Sequence, residues 1–556
     1  MNEYTLRFIS LGGIIGVTKN MYVYELYKNA TLSEILIIDC GIGFPEDKDL
    51  GVDYIIPDIS YLKDKKDKIK GIILSHGHED HISALPYYYK DLGEPNVYSG
   101  KLTCAFVRNQ FREFGLNIKI QEVDFDKTYS IGSFNVDFIR LTHSIPDTLH
   151  IFIETPAGNI YHGTDFKLDL TPPYGKSPDF KKISLMSSKG TLCLLSDCLG
   201  SETPGLTLSE SAISSSFDEE MKTTTGKFIM TTFSSNISRI RQCIEIAQKY
   251  QRKIVFLGRS MLENTKTAKD IGYLPFQNNV FLQEKDIKKY SPDKLCLIVA
   301  GSQGQYNSAL MKIATDQNEN TKISKGDKVV FSSDPIPGNE KEVYTLIEIL
   351  MIKGADVIYP DIKDQLHAYG HGNQEDLKYL IRLVNSKYII PIGGTIRHQK
   401  QYLKLCQSLG YKTDEVILLN EGQTIIFENG KVKSGKNIET KNIYVDAYGI
   451  GDVGRIVLRD RKTLSTEGMV VLFAIIDTNK SLIVQPRIIS RGFIFEKTSE
   501  KLITEAENII SKCFLENTNK IRDLNSLKKY LTEKLEEFFF TKTGRKPIVI
   551  TDIIQL

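Results

Sequence analysis

No C-x-x-C pair occurs in the 556 residues, and the eight cysteines, scattered from Cys40 to Cys513, show no paired metal-knuckle spacing. They are read as buried free thiols rather than staples or zinc ligands. Long apolar runs are also absent. The clearest, Met469 to Ile476, falls far short of the ~20 residues a membrane helix needs, and the polar N-terminus carries no signal-peptide pattern. A cytoplasmic protein with no membrane partner is expected. No polar low-complexity tract and no internal repeat is evident, so the whole chain should fold. Charge of one sign is missing too: 71 basic residues stand against 69 acidic ones, a net +2. A field this weak steers no polyanion, and any nucleic-acid contact would need a local basic groove.

What is present is a chain long enough for two to four domains. Short β-rich runs come first, Tyr4 to Leu11, Met21 to Leu26, Glu34 to Asp39, Gly71 to Leu74 and Val136 to Leu141. Their close spacing predicts a sandwich. From about Lys227 to Leu350 the rhythm changes to buried strands (KFIMTT, KIVFLG, LCLIVAG, KVVFSS), each followed by a loop or an amphipathic segment such as the one bearing Ile240, Cys243, Ile244 and Ala247 on one face. That predicts an inserted α/β domain with a largely parallel sheet. A β-rich pattern returns from Tyr388 to about Ile443, and a last α/β unit follows from Val470 with helices over 498–514 and 525–540.

Three of the nine histidines, His76, His78 and His81, fall within six residues together with Asp80, directly after the apolar run Gly71 to Leu74. Packing does not explain such clustering, whereas ligands collect naturally at the C-terminal end of a strand. Alternate spacing lets His76 and His78 face one pocket, Gly77 removes a side chain that would crowd an ion, and Asp80 and His81 turn toward a neighbouring position. Imidazole with carboxylate suits Zn²⁺ first, with Mn²⁺ or Mg²⁺ as alternatives. His143 and Asp165 also follow apolar strands. Each alone reads as a core histidine or a cap, but together they have the chemistry to complete a dinuclear site.

With these residues the chain resembles the metallo-β-lactamase superfamily, and further segments narrow the resemblance to the ribonuclease J family over nearly the whole length. They include KNMYVYE, GIGFPED, LGVDYIIPDISYL, TTFSSNISRI, GRSM, AGSQG, FSSDPIPGNE, HAYGHGNQEDL, GIGDVGRIVLRDR, IISRGF and TGRKP. The resemblance implies an α/β fold: a metallo-β-lactamase αββα sandwich (1–208 and 361–445) with an inserted β-CASP α/β domain (209–360), then a linker and small C-terminal α/β domain (446–556). It implies two divalent ions, the first held by His76, His78 and His143 and the second by Asp80 and His81, with Asp165 between them. Asp80, Asp197 and His371 become the catalytic set. His367 and His371 are assigned to the scissile phosphate, with His371 assisting departure of the 3′ oxygen. Ser332 and Ser333, with Gly301 and Ser302, form a pocket for a 5′-monophosphate end, and the arginines of DVGRIVLRDR and SRGF line an RNA channel.

The resemblance breaks where the family carries P-V-H-G-E. Here the stretch is Pro391, Ile392, Gly393, Gly394, Thr395, so Gly393 stands at a ligand position, and His398 is five residues beyond it. SDCLG and AGSQGQ also depart from the family pattern. Two functions follow. One is an exo- and endoribonuclease on single-stranded RNA, working 5′ to 3′ from 5′-monophosphate ends. The other is a catalytically weakened RNA-binding subunit that assembles with an active ribonuclease J partner. The chain is expected to be a homodimer, a homotetramer or a hetero-oligomer with a paralogue.

Overall fold

The apolar runs of the N-terminal half become strands of two stacked sheets. One has eight strands in the order Lys431–Ser434, Thr424–Glu428, Tyr4–Gly12, Met21–Lys28, Thr31–Ile38, Ile69–Ile73, Val97–Ser99, Ile120–Glu122. The other has six, in the order Tyr388–Ile392, Cys193–Asp197, Ile160–His162, Leu149–Glu154, Phe134–Arg140, Thr128–Ile131. Phe8, Tyr24, Leu36 and Ile38 of the first share one buried core with Val136, Phe138, Ile151 and Leu195 of the second. Each such side chain contributes about 1.5–3 kcal/mol on burial. By the two-residue period of a strand, Ile139, Phe152, Tyr161 and Leu194 point the other way. Helices Phe180–Ser187, Gln374–Val384 and Ile396–Ser408 cover them through Ile183, Leu377, Leu380 and Leu405.

In this computed structural model the described residues are 3–46, 49–336, 338–363, 366–446, 449–451, 454–494, 500–517, 521 and 523–556. Pro337 of the serine-bearing loop, Asp452 and Val453 of the arginine-rich segment, and residues 498 and 499 of the first C-terminal helix lie outside them. The chain divides into two compact units, Met1–Phe44 with Ile55–Ile443, and Pro45–Tyr54 with Tyr444–Leu556.

Between the two parts of the sandwich lies a five-stranded sheet, ordered Lys253–Leu257, Leu295–Val299, Phe228–Thr231, Lys328–Phe331, Asp356–Ile358, with every neighbouring pair parallel. Three of its strands are buried at every position, as a sheet covered on both faces requires. Ile240, Cys243, Ile244 and Ala247 form the buried face of the helix Ile237–Lys249. In the second unit a sheet ordered Arg487–Arg491, Met469–Ile476, Ile548–Gln555 packs on helices Glu500–Asn517 and Leu524–Thr543. The apolar stretch at Met469 is thus a strand. Among the described residues no helix is long and apolar enough to cross a membrane, and all eight cysteines are free and buried.

One expectation needs correction. The segment from Tyr388 to Ile443, read as β-rich, includes the helix Ile396–Ser408. Its start is fixed by a capping box, in which the Thr395 N–H donates to His398 Nδ1. The polar run after Thr395 hides its apolar face, which is carried by Tyr402, Leu405 and Cys406.

Candidate functional site

Five segments converge at one edge of the sandwich because each leaves the C-terminal end of a strand. His76 and His78 follow Ile69–Ile73, His143 follows Phe134–Arg140, Asp165 follows Ile160–His162, Asp197 ends Cys193–Asp197, and Gly393 follows Tyr388–Ile392. The last three strands are parallel neighbours, so their ends deliver Asp165, Asp197 and Gly393 side by side. His78 takes an extended backbone just before the short helix Glu79–Ile82, which carries Asp80 and His81. That turn is held down by Asn20, whose N–H donates to the Asp80 carbonyl, and by Cys40, whose N–H donates to the His81 carbonyl. The backbone passes so close to Gly41 that a Cβ there would lie 1.6 Å from the Asp80 oxygen. Gly77 is also required by packing: a Cβ on it would press on Phe106 and Ile145, at 3.0 and 3.1 Å.

Two sets of ligand atoms share Asp165. His76, His78, His143 and Asp165 form one, and Asp80, His81 and Asp165 the other, each with its atoms within 4.8 Å of one another. Asp165 Oδ2 stands 3.8 Å from His76 Nε2, 3.9 Å from His143 Nε2 and 3.3 Å from His81 Nε2. Outer partners set the ring faces. His143 Nδ1 donates to the Gly370 carbonyl at 2.6 Å, His81 Nδ1 to Asp39 Oδ2 at 2.7 Å, and His76 Nδ1 lies 3.0 Å from Ser75 Oγ. The Nε2 atoms of all three rings are therefore turned into the site. His78 presents Nδ1 instead, 3.0 Å from His76 Nε2, while its Nε2 lies 3.3 Å from Ser144 Oγ.

The electrostatics make the set receptive to cations. Burial, followed by the neighbouring imidazoles, holds His76 and His143 well below the ordinary histidine value. Burial brings His78 down to about 3. Their lone pairs are free. Against the cost of burial, the imidazoles of His81 and His371 keep Asp165 well below the usual carboxylate range. Against the cost of burial, Asp165, Asp80 and Asp39 push His81 well above the ordinary histidine value, so the carboxylates around it favour a positive charge there. Donor types, ring faces and charge all fit divalent metal.

A third group, Asp165, Asp197 and His371, shares the same aspartate. His371 Nδ1 lies 2.7 Å from Asp197 Oδ2, and its Nε2 lies 3.8 Å from Asp165 Oδ2. Burial opposes a charged ring, but Asp197 and then Asp165 push His371 up to about 9. His367 is elsewhere. Its Nδ1 accepts from Arg239 Nη1 at 3.1 Å and its Nε2 lies 3.5 Å from Asp334 Oδ2, which puts it against the serine loop rather than the histidine cluster. The pair is carried on an irregular segment and not on a helix.

Around the serine loop, Ser332 Oγ donates to the Leu366 carbonyl and accepts from Arg239. Buried Ser333 Oγ has no hydrogen-bond partner among the described residues. Gln303, next to Gly301 and Ser302, ties the two loops: its Nε2 donates to the Asp334 carbonyl and its Oε1 accepts from the Ile336 N–H. Arg239 itself is fully buried and forks onto Glu210, which also receives Lys167 Nζ. Gly393 has φ +66°, and a Cβ on it would point between Asp197 Oδ1 and Asp165 Oδ1, at 3.6 and 3.8 Å. His398 serves the helix start described above and joins none of the three ligand groups.

Sequence reasoning missed Asp39, Asn20, Arg239 and Glu210. Asp39 had a signal, since it too follows an apolar strand, and it sits at φ +60° with its carboxylate on Ser75 and His81, a strained backbone of the sort found at working sites.

A mixed-sheet sandwich with histidine and aspartate ligands at its strand ends and an inserted parallel α/β domain defines a metallo-β-lactamase protein with a β-CASP insertion. Residues 17–183 match the metallo-beta-lactamase superfamily, residues 225–350 the ribonuclease J beta-CASP domain, and residues 456–556 the ribonuclease J C-terminal domain. The chain is 36% identical over 559 residues to "Ribonuclease J2" of Bacillus subtilis (strain 168), covering 100% of this chain and 99% of that one. It is 35% identical to "Ribonuclease J 1" of Streptococcus pyogenes, covering 98% and 97%, and 33% identical to "Ribonuclease J" of Thermus thermophilus, covering 99% and 95%. The chain belongs to the ribonuclease J family. Among solved structures, a protein of unknown function from Enterococcus faecalis V583 aligns with TM-score 0.54 at 16% identity, over 76% of this chain and 99% of that one, a likeness of fold alone.

Proposed function

We propose that this chain is a metal-dependent phosphodiesterase that hydrolyses single-stranded RNA 5′ to 3′ from 5′-monophosphate ends, with endonucleolytic cleavage as a second mode. The observation that carries this reading is the pair of candidate ligand groups sharing Asp165, with His371 Nε2 3.8 Å from the same carboxylate. His76, His78 and His143 would hold one ion and Asp80 and His81 the other, with Asp165 serving both. Zn²⁺ suits the first set best, and Mn²⁺ or Mg²⁺ are alternatives. Bound there, the metal would lower the pKa of water and neutralise charge on the phosphoryl oxygens.

The chain's own residues supply the rest. Asp197 takes the Nδ1 proton of His371 as a hydrogen bond and fixes the ring, so Nε2–H faces the site and can be given to the departing 3′ oxygen. The Ser333 hydroxyl, without a partner among the described residues, sits on a loop that Gln303 ties to the segment of Gly301 and Ser302, and this supports a 5′-phosphate pocket with Ser332. Buried free thiols fit a reducing, cytoplasmic compartment. The domain limits 1–208, 209–360, 361–445 and 446–556 are proposed as the functional divisions.

A second reading rests on Gly393. The side chain it lacks would enter the space beside Asp165 and Asp197, so a second ion would have one protein ligand fewer than the family pattern provides. A chain with that deficit suits an RNA-binding subunit whose hydrolysis is weak and which works in an oligomer with an active ribonuclease J. One assay separates the readings: 5′-monophosphate, 5′-hydroxyl and 5′-triphosphate forms of one RNA, with Mn²⁺ or Zn²⁺ added. Preference for the monophosphate form is expected. No cleavage of any form at high protein concentration ends the enzyme reading.

A further inference from the structure

The segment from His367 to His371 is neither helix nor strand, and it links the serine loop to the candidate ligand cluster. Its burial alternates: Ala368 and Gly370 are buried, while His367, Tyr369 and His371 are partly open. The three rings therefore line the more open side of the segment as a row, with those of Tyr369 and His371 adjacent. The buried positions explain the orientation, since the Ala368 carbonyl accepts from Arg239 and the Gly370 carbonyl from His143. At one end of the row His367 stands beside Arg239 and Asp334. At the other, His371 stands beside Asp197 and Asp165. Tyr369 is the ring between them, 5.4 Å from the His371 ring and tilted by 49°. Among the described residues its hydroxyl makes no hydrogen bond with the protein, and Asp197, Asp334 and Asp165 all act on it electrostatically, which places it between the two ends.

A half-open tyrosine with no polar partner, in a row of imidazoles, has no evident task in holding the fold. If one end of the row receives a 5′-phosphate and the other the next phosphodiester, what lies between is the sugar and base of the first nucleotide. We propose that Tyr369 is the platform on which the base of the 5′-terminal nucleotide stacks. This inference rests on the ribonuclease reading. Stacking on a π-face tolerates every base, so the residue confers affinity and register rather than sequence choice.

The test is binding of a 5′-monophosphate RNA carrying 2-aminopurine at its first position and a non-hydrolysable phosphonate as its first linkage, measured with Mn²⁺ present so that the metal-loaded protein binds without cleaving. Wild type is expected to quench the 2-aminopurine, Tyr369→Phe to behave similarly, and Tyr369→Leu to quench little and bind about 5- to 100-fold more weakly. An RNA with an abasic first nucleotide should bind wild type weakly and show no further loss with Tyr369→Leu. That substrate probes the wild-type protein, so the answer does not depend on the leucine variant folding. Equal losses for Tyr369→Phe and Tyr369→Leu would show that the hydroxyl, not the ring face, makes the contact and would overturn the inference. So would RNA binding by wild type without quenching, which leaves the ribonuclease reading intact. No RNA binding by wild type at all would overturn both.

Discussion

Asp197 holds His371 through a 2.7 Å bond from Nδ1 to Oδ2, leaving Nε2 the only ring nitrogen free to face the shared Asp165. Because proton transfer of this type is worth about 10²–10⁴-fold, His371→Ala should slow cleavage by that order while the metal content, read by elemental analysis, stays unchanged. Asp197→Asn should slow it less. Activity that needs the protonated ring is present below the His371 pKa of about 9 and falls above it; removing the carboxylate lowers that pKa, so the alkaline limb of the pH–rate profile should move to lower pH. Loss of metal in parallel with activity in His371→Ala would assign this residue to an ion instead.

His78 and Asp165 are predicted to behave in the opposite way. Asp165 joins all three ligand groups, and His78 presents Nδ1 to the first. His78→Ala and Asp165→Ala should each reduce bound metal and abolish hydrolysis, with circular dichroism unchanged because both side chains sit at loop positions beyond the strand ends. Activity surviving both changes would put the phosphodiesterase site elsewhere.

The buried triad of Glu210, Arg239 and Lys167 should be a stability determinant with a specific pH signature. Glu210 accepts from Arg239 at 2.7 Å and from Lys167 at 2.9 Å. Against the cost of burial these two cations draw it down to about 2. Removing one member of a buried charge set strands the others, at about 3–5 kcal/mol, so Glu210→Gln should lower the melting temperature clearly. An unfolded glutamate titrates near ~4.3. The contribution is therefore complete above that pH and is lost as pH falls toward 2, and the wild-type and Glu210→Gln melting curves should converge on acidification from pH ~6 to ~3. A constant gap across that range would show that packing, not charge, is what the substitution removes.

The candidate ligand cluster was legible in the sequence because its parts are local: three histidines and an aspartate within six residues, and His143 and Asp165 each directly after an apolar strand. The parallel insert was legible for a similar reason, since strands buried on both faces read as continuous apolar runs. What stayed hidden depends on distant pairings. Nothing local to Arg239 says that it forks onto Glu210 and reaches His367, 128 positions away. The four-residue spacing of His367 and His371 is equally compatible with a helix, and only the contacts of each ring show that one sits by Arg239 and Asp334 and the other by Asp197 and Asp165. The helix Ile396–Ser408 was missed because its first turn is polar and its apolar positions are few.

Gly393 offers the sharpest test, because the structure supplies both an argument for a histidine there and one against it. A Cβ at this position meets Asp197 Oδ1 at 3.6 Å and Asp165 Oδ1 at 3.8 Å, ordinary contacts that leave the direction into the site open. The φ of +66° opposes it, since a side chain in the left-handed region costs about 1 kcal/mol or more. The backbone is also tied down, with the Gly393 N–H donating to the Gly13 carbonyl at 2.9 Å. That anchor keeps the position from drifting away from the cluster, so a histidine tolerated at all would enter beside Asp165. Gly393→His should then raise metal stoichiometry toward two per chain and increase hydrolysis of 5′-monophosphate RNA about tenfold or more, taking the loss typical of outer ligand partners as a floor. Thermal stability should fall slightly without metal and recover with it, because binding to the folded state alone stabilises that state. A stable Gly393→His protein with unchanged metal content and unchanged rate would show that the absent imidazole does not limit this site, and Cys198, whose Sγ packs 2.6 Å from where a Cβ on Gly394 would lie, would become the next position to exchange.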